Sequence, residues 1–557
     1  MPTKLSRRTL LASLGALSTR AASSAPLFEE IPASVSGIRW VHDNAFSTEH
    51  YLPESMGPGV AFLDFDNDGW MDIFLVNGGP CDFYQPSNKP RHALYKNNRI
   101  GGFTLVPDSS GILPAKSFGM GVAVGDYNND GFPDLFITAY GAPTLYRNNG
   151  NGTFTDVTAK SGIDIPGWTT SALWFDSNGN GLLDLFVCSF VKYNKASQAA
   201  CISARGGKPG YCIPRMFSPT ASFLFRNNGD GTFRDVSKES GISKRFGKAL
   251  GVVSTDINND GRLDLFVAND TVENFLFANR ASGKFDDIAY ESMVALNTDG
   301  NARSGMGVDA SDFNNDGWQD LFVSNLNNEM FSMYRNTGFG VFDDLAFASE
   351  IGRATYYLSG WGLKFFDFDN DGETDLFLAN GHPDDMVAER SPLVKYREPL
   401  LLFAQKNKQF RNISAQAGPV FNRDFSARGL ATGDYNNDGH VDVLVGINGG
   451  PPLLLKNNAG GGNHWVGVRL RGMKANREGI GAKITWSANG HQRSRLKTAG
   501  GSYLSAHDTR EVLGLGRAGK LDWIDVQWPQ PADRKERFSG ISVDRYVTLT
   551  EGEGEKL

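Results

Sequence analysis

The sequence predicts an all-β chain: a seven-bladed β-propeller followed by a small C-terminal β domain. Three observations predict it. A nine-residue acidic pattern, D-x-D/N-x-D/N-G-x-x-D, recurs seven times, beginning at Asp64, Asp126, Asp176, Asp256, Asp312, Asp367 and Asp434. A Phe-x-x-apolar strand also recurs seven times, shifted one step along the chain relative to the acidic copies. Glycine fills 65 of the 557 positions and Phe 38, which suits many short strands joined by tight turns.

Each acidic copy lies between two apolar runs. Gly119 to Val124 leads into the second copy, and Asp134-Leu135-Phe136-Ile137 leads out of it. Positions one, three, five and nine carry side-chain oxygens in every copy. These are Asp64, Asp66, Asp68 and Asp72 in the first, and Asp126, Asn128, Asp130 and Asp134 in the second. The third has Asp176, Asn178, Asn180 and Asp184, and the fourth Asp256, Asn258, Asp260 and Asp264. The fifth has Asp312, Asn314, Asp316 and Asp320, and the sixth Asp367, Asp369, Asp371 and Asp375. The seventh has Asp434, Asn436, Asp438 and Asp442.

That donor set is hard-cation chemistry. Calcium takes six to eight oxygens, mostly from carboxylates and carbonyls. Trp70, at position seven of the first copy, adds a backbone carbonyl, and the glycine at position six (Gly69 and its equivalents) permits the turn. The loops are therefore candidate Ca2+ sites. An EF-hand would need a Glu at position twelve. Here that position is Leu75, Ile137, Val187, Val267, Val323, Leu378 and Val445, so the EF-hand reading fails. The third copy has two carboxylates instead of three or four and is expected to bind most weakly. The loops hold 22 of the 62 acidic residues, so the net charge of −7 is largely metal-site acidity. It offers nucleic acid no basic footprint.

After each loop comes a strand, an Asn turn and the Phe strand, as in Leu145 to Asn149 followed by Phe154 to Val157. Each repeat thus reads as four short strands, the pattern of a propeller blade. The Phe strands begin at Phe28, Phe103, Phe154, Phe233, Phe285, Phe342 and Phe410. Phe28 precedes the first loop, and the seventh repeat ends at Asn458 with no Phe strand of its own. Residues 28–31 are therefore expected to supply the missing outer strand of the last blade and close the ring.

The loops and their Gly-rich lead-ins resemble the FG-GAP/VCBS repeats of integrin α heads, over about residues 28–458. Gly479-Ile480-Gly481-Ala482, Gly500 to Ser505, Gly514-Leu515-Gly516 and Val526-Gln527-Trp528-Pro529 resemble the ASPIC/UnbV domain. That order of domains is similar to the cartilage acidic protein family. The resemblance implies an extracellular calcium-binding protein and no known reaction. Read from the residues alone, Val466 to Leu470, Lys483 to Trp486 and Trp523 to Trp528 are strands, and Gly460-Gly461-Gly462 is a linker. The expected divisions are 1–25, 26–460 and 461–557.

The first division reads as a twin-arginine export signal. Arg7-Arg8 precede a short apolar run, Leu10 to Leu17, and small residues from Ala21 to Ala25 offer cleavage sites. No run in the sequence is long enough to span a bilayer. Export to the periplasm or beyond permits a disulfide, and Cys201 and Cys212, flanking a Gly-rich loop, are the expected pair.

No nucleophile elbow, zinc-protease helix or phosphate loop is present. His507-Asp508 reads as an exposed loop pair and the charged run Arg390 to Glu398 as a solvated insertion. The expected function is a binding or adhesion module for an extracellular protein or polysaccharide. The alternative is an envelope hydrolase or lyase acting on a glycan in a propeller-face pocket. The longest interval between loops contains Tyr193 to Thr220, with Arg205, Lys208, Tyr211, Arg215 and Phe217, and is the expected ligand surface.

Overall fold

The computed structural model of the chain describes residues 25–112, 114–198 and 210–557. The expected Cys201–Cys212 bridge depends on Cys201, and Arg205 and Lys208 belong to the same stretch. All three lie outside the described residues, as does the expected signal at 1–25 apart from its last residue.

The described chain is a β-propeller with a second β unit. Seven antiparallel sheets follow one plan, with four strands in sequence order. The first is Val60–Leu63, Asp72–Leu75, Ala93–Asn97 and Phe103–Leu105. The last, Ala427–Gly433, Asp442–Ile447 and Leu453–Asn457, takes its fourth strand from Phe28–Glu30. Phe28 pairs with Asn457 and Glu30 with Leu455, the closure expected from the shifted Phe strands. The first strand of each sheet packs on the first strand of the next, and Ala427–Gly433 packs back on Val60–Leu63.

The second strands are buried along their whole length and mostly apolar after the opening Asp, because sheets cover both of their faces. Asp134–Tyr140, for example, is buried at all seven positions. The Phe that opens each fourth strand turns inward. Phe28, Phe103, Phe154, Phe233, Phe285, Phe342 and Phe410 are all buried.

The tail forms two sheets. His464–Arg471 lies between Glu511–Gly516 and Arg545–Thr550, and a five-stranded sheet is built around Lys483–Ala488 and Trp523–Trp528. Val466, Ile484, Trp486, Leu513, Ile524 and Trp528 share one core between them.

The tail is not the separable unit the sequence suggests. Residues 499–508 enter the hub of the propeller and reach all seven first strands. Ala499–Gly500 pairs with Ala249–Thr255. Ser502 accepts the Val308 N–H at 3.0 Å and donates its hydroxyl to Leu430. Its Oγ also accepts the Leu363 N–H at 3.2 Å. Leu504 accepts the Val122 N–H and donates its own N–H to Ser171 Oγ, both at 3.0 Å. Ala506 exchanges hydrogen bonds with Val60 and Phe62. Tyr503 is fully buried, and its hydroxyl donates to Met56 O at 3.0 Å.

Two sequence expectations are overturned, the first by this docking. His507 is buried, with Nδ1 accepting the Thr432 N–H at 3.1 Å, and Asp508 is clamped by Arg510. Likewise Glu398, expected on a solvated run, is buried and accepts the Ser359 N–H at 2.8 Å. A run of polar letters hid the first because His507 contacts Thr432 in the last sheet, and the second because Glu398 meets Ser359, 39 residues earlier in its own repeat.

Candidate metal centres

Each acidic pattern forms the turn between the first and second strands of its sheet. The position-one carboxylate organises the turn. Asp64 accepts the N–H groups of Asp68 and Gly69 at 2.9 and 3.1 Å. The same pair recurs at Asp126, Asp176, Asp256, Asp312, Asp367 and Asp434, at 2.7 to 3.1 Å. The position-six glycines have φ between 80° and 95°, a conformation costly for any residue with a Cβ.

The ninth-position Asp opens the second strand and is buried in every copy. It accepts an N–H from the end of the third strand in every copy, and in all but the second copy also the N–H of position two. For Asp72 these are Phe65 at 3.2 Å and Asn97 at 2.7 Å. In the first and sixth loops, oxygens of Asp64, Asp66 and Asp72, and of Asp367, Asp369 and Asp375, lie within 4.8 Å of one another.

Several of these oxygens have no donor. Asp66 Oδ1, Asn178 Oδ1 and Asn314 Oδ1 at position three, and Asp134 Oδ2 at position nine, are buried and accept no hydrogen bond. Buried acceptors are normally satisfied. Converging acceptors without donors are what a hard cation requires.

Electrostatics agree. Burial, with the neighbouring loop carboxylates adding, pushes Asp72 up to about 8, Asp134 to about 9, Asp264 to about 7 and Asp320 to about 8. Asp375 and Asp442 are held well above the usual carboxylate range for the same reasons. A divalent ion would reverse that cost by favouring the ionised form. The third loop differs. Burial raises Asp184 only to about 6, and the Ser177 hydroxyl donates to it. At position two the other loops carry Phe, Tyr or Ile, none of which donates from its side chain to the ninth Asp.

Sequence reasoning missed how the loops are joined. A side-chain amide at the end of each third strand, or one residue before it in the sixth sheet, donates to the position-two carbonyl of the preceding loop. The bonds run Asn97 to Tyr435, Asn148 to Phe65, Asn227 to Tyr127, Asn279 to Ser177, Asn336 to Ile257, Gln405 to Phe313 and Asn457 to Phe368, at 2.7 to 3.0 Å. They make a complete circuit. A second set runs the other way from position four: Asn67, Asn259, Asn370 and Asn437 donate to the position-six carbonyl of the next loop at 2.6 to 3.1 Å. The recurrent Asn at both places was the available signal.

The tail covers this face. Arg469 donates to Asp64 at 2.7 Å, Tyr546 donates its hydroxyl to Asp434 at 2.7 Å, and Glu478 accepts the Asp126 N–H at 3.2 Å. Gly516 donates to Asn370 O at 2.8 Å. Beside it, a Cβ on Gly514 would stand 1.9 Å from an Asp367 oxygen, so only glycine lets the tail approach the sixth loop.

Family models match on both units. Residues 64–137, 126–187, 216–267, 256–323 and 312–378 match the FG-GAP-like repeat, and residues 472–556 match ASPIC and UnbV. Cartilage acidic protein 1 of Xenopus tropicalis is 25% identical over 502 residues, covering 86% of this chain and 71% of its own. Integrin alpha-6 of Gallus gallus is 32% identical over 189 residues, 32% of this chain and 17% of its own. Among solved structures, the BP39L lectin from Burkholderia pseudomallei aligns over 73% of this chain and 97% of its own, at 12% identity and a TM-score of 0.41. The repeated loops, the tail that docks on them and the two family matches agree: the chain belongs to the FG-GAP-like repeat proteins and ends in an ASPIC and UnbV domain.

Proposed function

We propose that the chain is an exported, calcium-loaded seven-bladed propeller that serves as a binding or adhesion module for an extracellular protein or polysaccharide. Each four-stranded sheet is one blade, residues 26–460 make the propeller, and 461–557 make the tail domain. The observation that carries the calcium reading is the set of buried loop oxygens without donors, in loops of one repeated geometry. Ions held there would act as struts and are not the ligand site, because the tail lies over that face. Partners would meet the opposite face.

Likeness to cartilage acidic protein 1 and to integrin α subunits supports an extracellular setting for such a module. Among the described residues no helix is long and apolar enough to cross a membrane. The twin-arginine route is tested by Arg7→Lys with Arg8→Lys, which should block export. Continued export of the double variant would point to another route.

Elemental analysis of the purified chain tests the metal content. Six or seven calcium ions per chain are expected, with the third loop the first to empty on dilution. Fewer than two ions would overturn the reading. Attachment to extracellular matrix material should also be lost with chelator and restored with calcium.

A further inference from the structure

The propeller end away from the loops carries a site that the repeats do not explain. A cavity of about 410 Å3 opens there, within the size range of small-molecule sites. Its floor is Met56, Met306 and Trp361, and the tail's Tyr503 supports it from below, packed on Trp361 at 4.8 Å between ring centres. Its walls come from segments a blade does not need. One is Tyr211 to Arg215, from the long insertion in the third repeat, and another is Pro383 to Ser391, from the sixth.

Polar groups stand around this apolar floor in two facing sets. On one side Asp270 is buried and bridges through its backbone to Ser304, which gives its N–H to Glu329 at 2.6 Å and its hydroxyl at 3.2 Å. Lys248 stands behind them, bonded to Pro214 O at 2.8 Å and Thr271 Oγ1 at 3.3 Å, and Arg215 is exposed at the rim. On the other side Asp384 is paired with Arg390. His382, pushed down to about 4 by burial, is neutral. By formal charge Asp270, Glu329 and Asp384 match Arg215, Arg390 and Lys248, with Lys248 behind the lining and burial raising Asp270 to about 7 and Glu329 above its ordinary value.

We infer that this cavity binds a neutral saccharide of one or two rings. A charged ligand would leave an uncompensated charge in a mostly apolar enclosure. A sugar hydroxyl both donates to a carboxylate and accepts from a guanidinium, so one neutral ligand satisfies both sets. The C–H faces of a pyranose ring match the Met and Trp floor. The inference rests on the binding-module reading and selects saccharide from its two partner classes.

The test uses the full-length, calcium-loaded chain. Glucose, galactose, mannose, N-acetylglucosamine and their β-1,4-linked disaccharides are screened by saturation-transfer NMR, and hits are titrated calorimetrically. At least one neutral sugar should bind, and Arg215→Ala and Glu329→Gln should each weaken it tenfold or more with the melting midpoint unmoved. Arg215 is exposed, so its variant folds even if Glu329→Gln does not. The assignment falls if no sugar in the panel binds. It falls equally if both variants bind at native affinity, or if glucosamine or glucuronate binds tenfold more tightly than glucose. Calcium-dependent attachment to matrix that survives in both variants would leave the binding-module reading standing and remove this cavity from it.

Discussion

The two ends of the propeller are built by opposite rules. At the loop end one turn is repeated seven times, each copy held by two N–H bonds to its first Asp carboxylate and tied to its neighbours by a circuit of amides. At the other end the connections differ in length, and the cavity takes walls from insertions in the third and sixth repeats. The regular end is covered by the tail, and the irregular end is open. Repetition serves stability here, and departures from it supply the surface left for recognition.

The comparison breaks most easily at the hub, where the tail joins the two ends. Tyr503→Ala should cost about 3–5 kcal/mol, as for other buried aromatic truncations. Deleting everything from Gly462 onward should cost more than deleting residues 26–35, which removes one short strand pairing and the buried Phe28. Denaturant unfolding of the three variants checks the order. If loss of the tail leaves the propeller's stability unchanged, the hub contacts are incidental.

The loops should also differ among themselves. In calcium at a hundredfold excess over Kd, one lost site removes about 2.7 kcal/mol. Asp126→Ala should show a loss of that order, and Asp176→Ala clearly less, because the third loop offers two carboxylates and its Asp184 already has the Ser177 hydroxyl. Equal melting shifts would refute that ranking.

The amide circuit predicts a smaller effect. Asn279→Ala leaves the Ser177 and Leu263 carbonyls without their donor and should cost about 1–3 kcal/mol. Asn228→Ala, one residue after the equivalent Asn227 and on an exposed turn, should stay within about 0.5 kcal/mol. Similar costs for the two would mean that the circuit holds nothing.

How much of this was legible follows the same division. Seven Asp loops, seven Phe strands and the displaced Phe28 were enough to give the blade pattern and its closure, because period and position are local properties of a sequence. Asn97 and its equivalents were visible as turns, but their role was not, since each bonds a carbonyl in another repeat. Tyr503 lies in a Gly-rich stretch that reads as a loop, and nothing local shows that it fills a hub. Asp270 and Glu329 are single acids outside any repeat, brought together only by the packing of two blades around Ser304.

The central claim is that buried loop carboxylates are held ionised by calcium. Without the ion Asp72, Asp134 and Asp320 have folded-state values near 8 or 9, far above an unfolded Asp near 3.9. A group raised in this way stabilises the fold at low pH and loses that contribution as pH climbs toward its folded value. The direct measurement is the melting midpoint from pH 5 to pH 9, once with excess calcium and once with chelator. The account predicts a midpoint that falls steadily with pH in chelator and stays nearly level in calcium, so that the gap is widest at the alkaline end. Two curves that coincide across the range would contradict it.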